Sequence, residues 1–288
     1  MAYGRGKTEP LTGFDRVLIH EWAMGMMLVQ IMVRLMIAGV ARGWLAAYLA
    51  VAGGYVVLIT VGIRTGSPLW NRLRLLWNII AMNFAFTSIK FIVPALGLTI
   101  RDRNLAAIDR FLVGGDLSIA IQRYFSSSLT ELMSLGYMLF IVFLFFAFYH
   151  YGIRAKLAKL SLFCSGLFTL YGIGITGYTL VPAQGPYVYL AREYTVPVKG
   201  YLFTRLNELM VRAGSSGYDV FPSLHVGVGL YLFLFFYFYD RRIWRLYCIP
   251  FVLLVVSTIY LRYHYFIDLL CGALLGLVCF ILTRWRKT

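Results

Sequence analysis

Apolar residues run along this chain in long stretches, and polar residues collect in the connections between them. A helix needs about 20 mostly apolar residues to cross the hydrocarbon of a bilayer. Candidate spans are residues 17–40, 44–63, 75–98, 129–151, 160–181, 223–239, 246–261 and 264–283, with 223–239 and 246–261 the shortest. The pattern predicts an all-α polytopic transmembrane helix bundle of about eight spans. Two connections are more than linkers. Residues 99–128 mix charges with Leu105, Ile108, Phe111, Leu112, Ile119 and Ile121, the pattern of a helix lying in the membrane interface. Residues 182–222 are punctuated by Pro182, Gly185, Pro186, Pro197, Gly200, Gly214 and Gly217, so they cannot form one continuous helix. Irregular backbone at membrane depth is tolerated only where protein or a wet cavity covers it. The expected division is an N-terminal three-span region, 1–98, followed by a membrane domain, 99–283.

Composition agrees with the pattern. Of the 288 residues, 60% are hydrophobic and 14% charged, whereas a soluble chain is about a quarter charged. The net charge of +15 would suggest nucleic acid in a soluble protein. Here the basic residues lie between apolar runs and not on one amphipathic face, so a nucleic-acid partner is not expected and the bilayer is. Positive charge in short loops sets orientation instead. With both termini in the cytoplasm, every cytoplasmic segment carries three basic residues: Arg5, Lys7 and Arg16; Arg64, Arg72 and Arg74; Arg154, Lys156 and Lys159; Arg241, Arg242 and Arg245; Arg284, Arg286 and Lys287. Arg42, Arg101, Arg103, Arg110, Arg123, Arg192, Lys199, Arg205, Arg212 and Arg262 fall on the other face, mostly in the two long connections. The long connections are therefore expected outside, in a bacterial inner membrane. The first apolar run carries Arg34 and lacks a cleavage site, so it is expected to remain as a helix. Arg34 and Lys90 sit near span ends, where long side chains snorkel. Cys164, Cys248, Cys271 and Cys279 show no metal-ligand or disulfide spacing and read as small hydrophobes.

Two of the four histidines have unusual company. His225 lies in Gly217-Tyr-Asp-Val-Phe-Pro-Ser-Leu-His225-Val-Gly227, where the irregular connection enters the sixth span. His264 lies in Ser257-Thr-Ile-Tyr-Leu-Arg-Tyr-His264-Tyr-Phe-Ile-Asp268, at the turn between the last two spans. The span count puts both on one membrane face. On a helix, the i,i+4 spacing of His264 and Asp268 stacks them one turn apart. A carboxylate that accepts from one ring nitrogen fixes the tautomer and frees the other nitrogen to attack. His225, at a helix start where free amides suit an anion, could protonate a leaving oxygen. His20 and His150 read as interfacial anchors. No carboxylate cluster offers a divalent metal a site, and no cofactor is expected.

These two elements resemble the type-2 phosphatidic acid phosphatase (PAP2) superfamily, which carries Pro-Ser-Gly-His and Ser-Arg-x5-His-x3-Asp. Pro222-Ser223-Leu224-His225 matches the first with Leu for Gly; Ser257, His264 and Asp268 match the second, with Thr258 in place of Arg. Phe221–His225 and His264–Asp268 look more like the branch of the fungal inositol phosphorylceramide synthases. So do Val181-Pro-Ala-Gln-Gly-Pro186, Asp109–Gly114 and Leu129–Leu132. The likeness covers roughly residues 100–283. The superfamily's third element, Lys-x6-Arg-Pro, is degenerate: Tyr178 and Gly185 occupy the Lys and Arg positions before Pro186.

The resemblance implies a PAP2-like catalytic core. It implies His264 as nucleophile, Asp268 orienting it and His225 as general acid, acting on a lipid phosphate or phospholipid. The acceptor would be an alcohol in a phosphotransferase or water in a phosphatase. Ser223, Ser257, Gln184 and Tyr187 are candidates to hold the substrate. Lys199, Arg205 and Arg262 could meet the phosphate charge by location, Arg262 only if the helix breaks before His264. The reading from another class is a membrane transporter whose histidines relay protons; no internal repeat or paired broken spans support it.

Overall fold

The computed structural model describes residues 16–285, and Arg5, Lys7, Arg286 and Lys287 of the charge count lie outside the described residues. The helices are α1 (Ile19–Ala38), α2 (Arg42–Thr65), α3 (Pro68–Ala95), α4 (Asp102–Val113), α5 (Leu117–Ala120), α6 (Ser127–Tyr149), α7 (Leu157–Leu180), α8 (Pro186–Tyr189), α9 (Leu202–Gly214), α10 (Leu224–Tyr239), α11 (Arg241–Tyr260) and α12 (Phe266–Trp285). Among the described residues the only β pairing is one isolated bridge, Ala183 to Asp219. Among the described residues seven helices are long and apolar enough to cross a membrane: α1, α2, α3, α6 with the turn that continues it, α7, α11 and α12. The protein is an integral, multi-pass membrane protein.

The expected span at 223–239 forms α10, a helix of 16 residues. At about 1.5 Å per residue it is about 24 Å long, short of the roughly 30 Å hydrocarbon thickness. The other spans shift by a few residues: α3 starts seven residues before the expected 75, on Pro68 as its first residue, and α11 five before 246. The long connections are more helical than their punctuation suggests. Residues 99–128 hold α4, α5 and a short 3-10 turn, and residues 182–222 hold α8 and the 13-residue α9. Both α4 and α9 leave one apolar face uncovered, with Phe111 on α4 and Leu202 and Leu209 on α9 exposed, as befits helices lying in an interface.

α7 is the axis of the bundle. It packs against α1, α3, α10 and α12, and most of its residues are buried. The first three helices thus share one hydrophobic core with the rest of the chain. Arg34 donates to the Thr179 carbonyl at 2.9 Å, tying the end of α1 to the end of α7, and Lys90 lies over the Phe91 ring. Cys164 and Cys279 are buried, Cys248 and Cys271 partly so, and all four are free thiols.

One cation of the charge count is spent inside the protein. Arg74 and Glu21 are both wholly buried, with Arg74 Nη2 at 2.6 Å from Glu21 Oε2 and 2.7 Å from the Arg16 carbonyl. Glu21 Oε2 also accepts from the Leu18 amide at 2.7 Å. Breaking a buried pair leaves an uncompensated charge and costs about 3–5 kcal/mol, whereas replacing both partners by hydrophobes of similar size costs far less. Glu21→Ala and Arg74→Ala should each lower thermal stability in detergent by that amount, and the double variant Glu21→Leu/Arg74→Met should recover most of the loss. Additive losses in the double variant would show that the two groups are not coupled.

Candidate active site

The two histidine elements meet because two helices touch along their backbones. α10 packs on α12 through Gly227, Gly272 and Gly276. A Cβ at Gly272 would stand 2.2 Å from the Ser223 carbonyl oxygen, and one at Gly276 would stand 2.3 Å from that of Gly227. Only hydrogen side chains permit this approach. The contact lets the Ser223 amide donate to the Asp268 carbonyl at 3.0 Å. The cis Phe221–Pro222 peptide feeds into α10, and the Ser223 hydroxyl accepts from the Val226 amide at 3.4 Å. His225 emerges in the first turn of α10, with its ring centroid 5.7 Å from that of His264. Tyr137 and Phe140 of α6 pack against the His225 ring, and Tyr137 Oη lies 3.5 Å from its Nδ1.

His264 is not on a helix. α11 ends at Tyr260, Arg262 takes a left-handed backbone (φ 66°), and α12 starts at Phe266. The i,i+4 pair therefore spans a turn and the first turn of α12. Asp268 Oδ2 accepts from the Tyr265 amide at 2.8 Å and stands 3.6 Å from His264 Nδ1. The nearer acceptor is the Val220 carbonyl, 3.1 Å from Nδ1. A carbonyl can only accept, so the ring proton sits on Nδ1 and the Nε2 lone pair is free. Burial pushes the His264 imidazole down to about 4, although the Asp219 carboxylate and the Val220 carbonyl oppose the shift. At neutral pH the ring is uncharged, the form that can attack.

Both histidines line a cavity of about 290 Å³. Its upper wall holds Gln184, Tyr187, Asn207, Asp219 and Tyr263; its lower walls are mainly aromatic and aliphatic side chains of α3, α6 and α7. No lysine or arginine lines it among the described residues. The other candidates lie elsewhere. Ser223 and Ser257 are wholly buried, Ser257 bonded to Leu254 of its own helix. Lys199 and Arg205 are exposed and outside the lining. The helix does break before His264, yet the Arg262 guanidinium turns away to Gln122 and the Val196 carbonyl and packs over Tyr194 and Phe125.

Sequence reasoning gave no role to the residues that hold the two site loops in place, although Asp109 opens one of the stretches that carry the resemblance. Asp102 of α4 accepts from the Gln184 and Gly185 amides, each at 2.8 Å, and from Tyr265 Oη at 2.8 Å. Asp109, one heptad on, accepts from the Phe266 amide at 2.6 Å and the Ile267 amide at 2.8 Å, capping α12. Burial raises the Asp109 carboxyl, and these amides oppose the rise. A usable signal was present: Asp102, Leu105, Ala106 and Asp109 share one buried face of α4, so the acids stand on the apolar side of an amphipathic helix. Asp219 and the Val220 carbonyl carried no such mark.

A family model described as the PAP2 superfamily matches residues 103–282. No curated protein and no solved structure matches the chain.

Each buried donor left without an acceptor costs about 1–3 kcal/mol. Asp102→Ala orphans three donors, whereas Tyr265→Phe removes only one and leaves none unpaired. Thermal unfolding in detergent should show Asp102→Ala several kcal/mol less stable than wild type and Tyr265→Phe within about 1 kcal/mol. Equal effects would mean that Asp102 does not hold the 184–185 loop.

Proposed function

We propose that this chain, which belongs to the PAP2 superfamily, moves a phosphorus-bearing group from a phospholipid to an alcohol acceptor through a phosphohistidine. Phosphoester chemistry on lipid phosphates is what the superfamily implies; transfer and the diester donor are our reading. The observation that carries it is the pair of histidines, 5.7 Å apart, facing one largely apolar cavity.

His264 Nε2 attacks phosphorus while Val220 holds Nδ1–H. The bond to the departing alcohol oxygen breaks, and His225, whose protonated form the negative charge of the bound phosphate favours, gives that oxygen its proton. The Asp268 carboxylate, 3.6 Å from Nδ1, offsets charge that develops on the ring. An acceptor hydroxyl then attacks, its proton passes to His225, and the P–N bond breaks to restore His264. Two features support transfer from a diester. An apolar cavity disfavours bulk water as the acceptor. A phosphomonoester carries about −1.5 to −2 at pH 7, and burying the second charge is costly where no lysine or arginine meets it.

The test uses purified protein in vesicles, phospholipid labelled in its phosphate, and added alcohol. A new labelled diester should form faster than inorganic phosphate is released from phosphatidic acid. Phosphate as the main product would replace transfer by hydrolysis, and the absence of both products would end the phosphoester reading. His264→Ala should abolish turnover on every substrate. His225→Ala should lose about 10²–10⁴-fold on the natural lipid but far less on a nitrophenyl ester, whose leaving group needs no proton. Equal losses would remove the general-acid assignment. Since burial holds the His264 imidazole below its usual range, the acid limb of kcat/KM should fall below pH 6.5, and an acid limb at 6.5 or above would contradict the assignment.

We also propose that the site faces away from the cytoplasm. Support comes from the end of the bundle opposite the histidines, where Arg72 bonds the Gly152 and Ala155 carbonyls and Lys159 the Tyr239 carbonyl. That places Arg64, Arg154, Lys156 and Arg241–Arg245 beside them on short connections, the arrangement of a cytoplasmic face. A membrane-impermeant thiol reagent on intact cells should label Ser215→Cys and not Arg242→Cys; the reverse labelling inverts the orientation.

A further inference from the structure

The floor of the cavity belongs to a part of the chain that the family match does not reach. Ile79, Met82, Asn83 and Phe86 of α3 form one wall, and α6 from Tyr137 to Phe148 forms the facing one. α3 and α6 do not pack along one another; α3 is held by α2 and α7, and α6 by α9 and α11. The gap between them opens sideways. Phe145 of α6 lines the cavity and is nonetheless 68% exposed, and Asn83, in the α3 wall, is exposed as well. Tyr137 to Phe148 spans eleven residues, a depth of about 16 Å at 1.5 Å per residue. That is about half the hydrocarbon thickness of a bilayer, the reach of one acyl chain from headgroup level to the midplane. The volume, about 290 Å³, lies at the small end of ligand cavities, so it encloses one chain and leaves any second chain in the bilayer.

We infer that the cleft between α3 and α6 seats one acyl chain of a membrane lipid, its phosphate end at His225 and His264, and that α3 sets how long a chain fits. The placement of the phosphate rests on the function proposed above; the seating of the chain does not. A lipid enters through the gap beside Phe145 and Asn83 without leaving the membrane, because the walls that receive it are as apolar as the tails that surround the protein. Ile79 stands at the far end of the α3 wall, about 10 Å below Phe86, where added bulk shortens the cleft without touching the histidines.

The experiment compares the wild type with Ile79→Trp and with Ile80→Trp, whose side chain faces outward and is absent from the lining. Phospholipids with chains of eight and of sixteen carbons serve as donors. Ile79→Trp should lower the long-to-short ratio of kcat/KM by about tenfold, the effect of losing about two buried methylenes; Ile80→Trp should leave the ratio at the wild-type value. A separate readout needs no turnover: a phospholipid with a photoreactive diazirine at the end of one chain is irradiated with each protein, and the adduct is mapped by mass spectrometry. Wild type and Ile80→Trp should carry the adduct on residues 79–86 or 141–148, and Ile79→Trp should lose it. Adducts in the wild type without any turnover would overturn the proposed chemistry and keep the cleft. No adduct on either wall, or an unchanged ratio in Ile79→Trp together with an unchanged adduct, overturns the inference.

Discussion

Backbone contact between α10 and α12 is the constraint on which the site depends. Gly227, Gly272 and Gly276 remove the side chains that would otherwise hold the helices apart, and the Ser223 amide then reaches the Asp268 carbonyl. Association of apolar helices in lipid gains little from the hydrophobic effect, since the tails are as apolar as the side chains. Close van der Waals fit and backbone hydrogen bonds must supply the specificity. With a methyl group at Gly272 the start of α10 would be pushed away from α12, and His225 would leave the reach of His264.

A second layer of order comes from α4. This helix lies across the end of the bundle and sends Asp102 and Asp109 into it, where five donors from two distant loops converge on two carboxylates. Carboxylates suit this task because each oxygen can accept more than one hydrogen bond. Neither group faces the cavity. Their charge is met by amides and a phenol, so positive side chains are not drawn into the site. Arg262, two residues before His264, is absorbed by Gln122, Val196 and two aromatic rings. Among the described residues the cavity is left with two imidazoles, a single carboxylate at Asp219 and many aromatic rings, the setting on which the proposal of a substrate of low charge rests.

The first three helices are structural partners of the half that the family match covers and not an appendage. α1 lies along α7, α3 joins it, and one hydrophobic core runs through both halves. The buried Glu21–Arg74 pair locks α1 to α3 at the end away from the histidines, while Arg34 locks α1 to α7 near them. These polar anchors fix register in a bundle whose apolar surfaces would tolerate sliding.

Much of this was legible in the sequence, and the reason is local. Helix length against bilayer thickness, and the 3.6-residue repeat of α4, are properties of neighbouring residues. They marked the membrane class and seven of the eight expected spans, each to within seven residues, while the motif spacing grouped His225 with His264 and Asp268. α10, expected at 223–239 and found at 224–239, stays short of a full span because Ser223 caps its start and Asp240 its end, and the Phe221–Ser223 entry before it rests on α7 and α12. What only the tertiary structure decided involves partners far apart in the chain. The Val220 carbonyl that holds the His264 tautomer is 44 residues away, and Asp102 is 163 residues from the Tyr265 hydroxyl it receives. Arg262 looked available for phosphate because it neighbours His264 in sequence, yet its left-handed backbone turned it to Gln122, 140 residues distant. A hydrogen bond depends on distance and direction in space, and those are set only once the helices have packed.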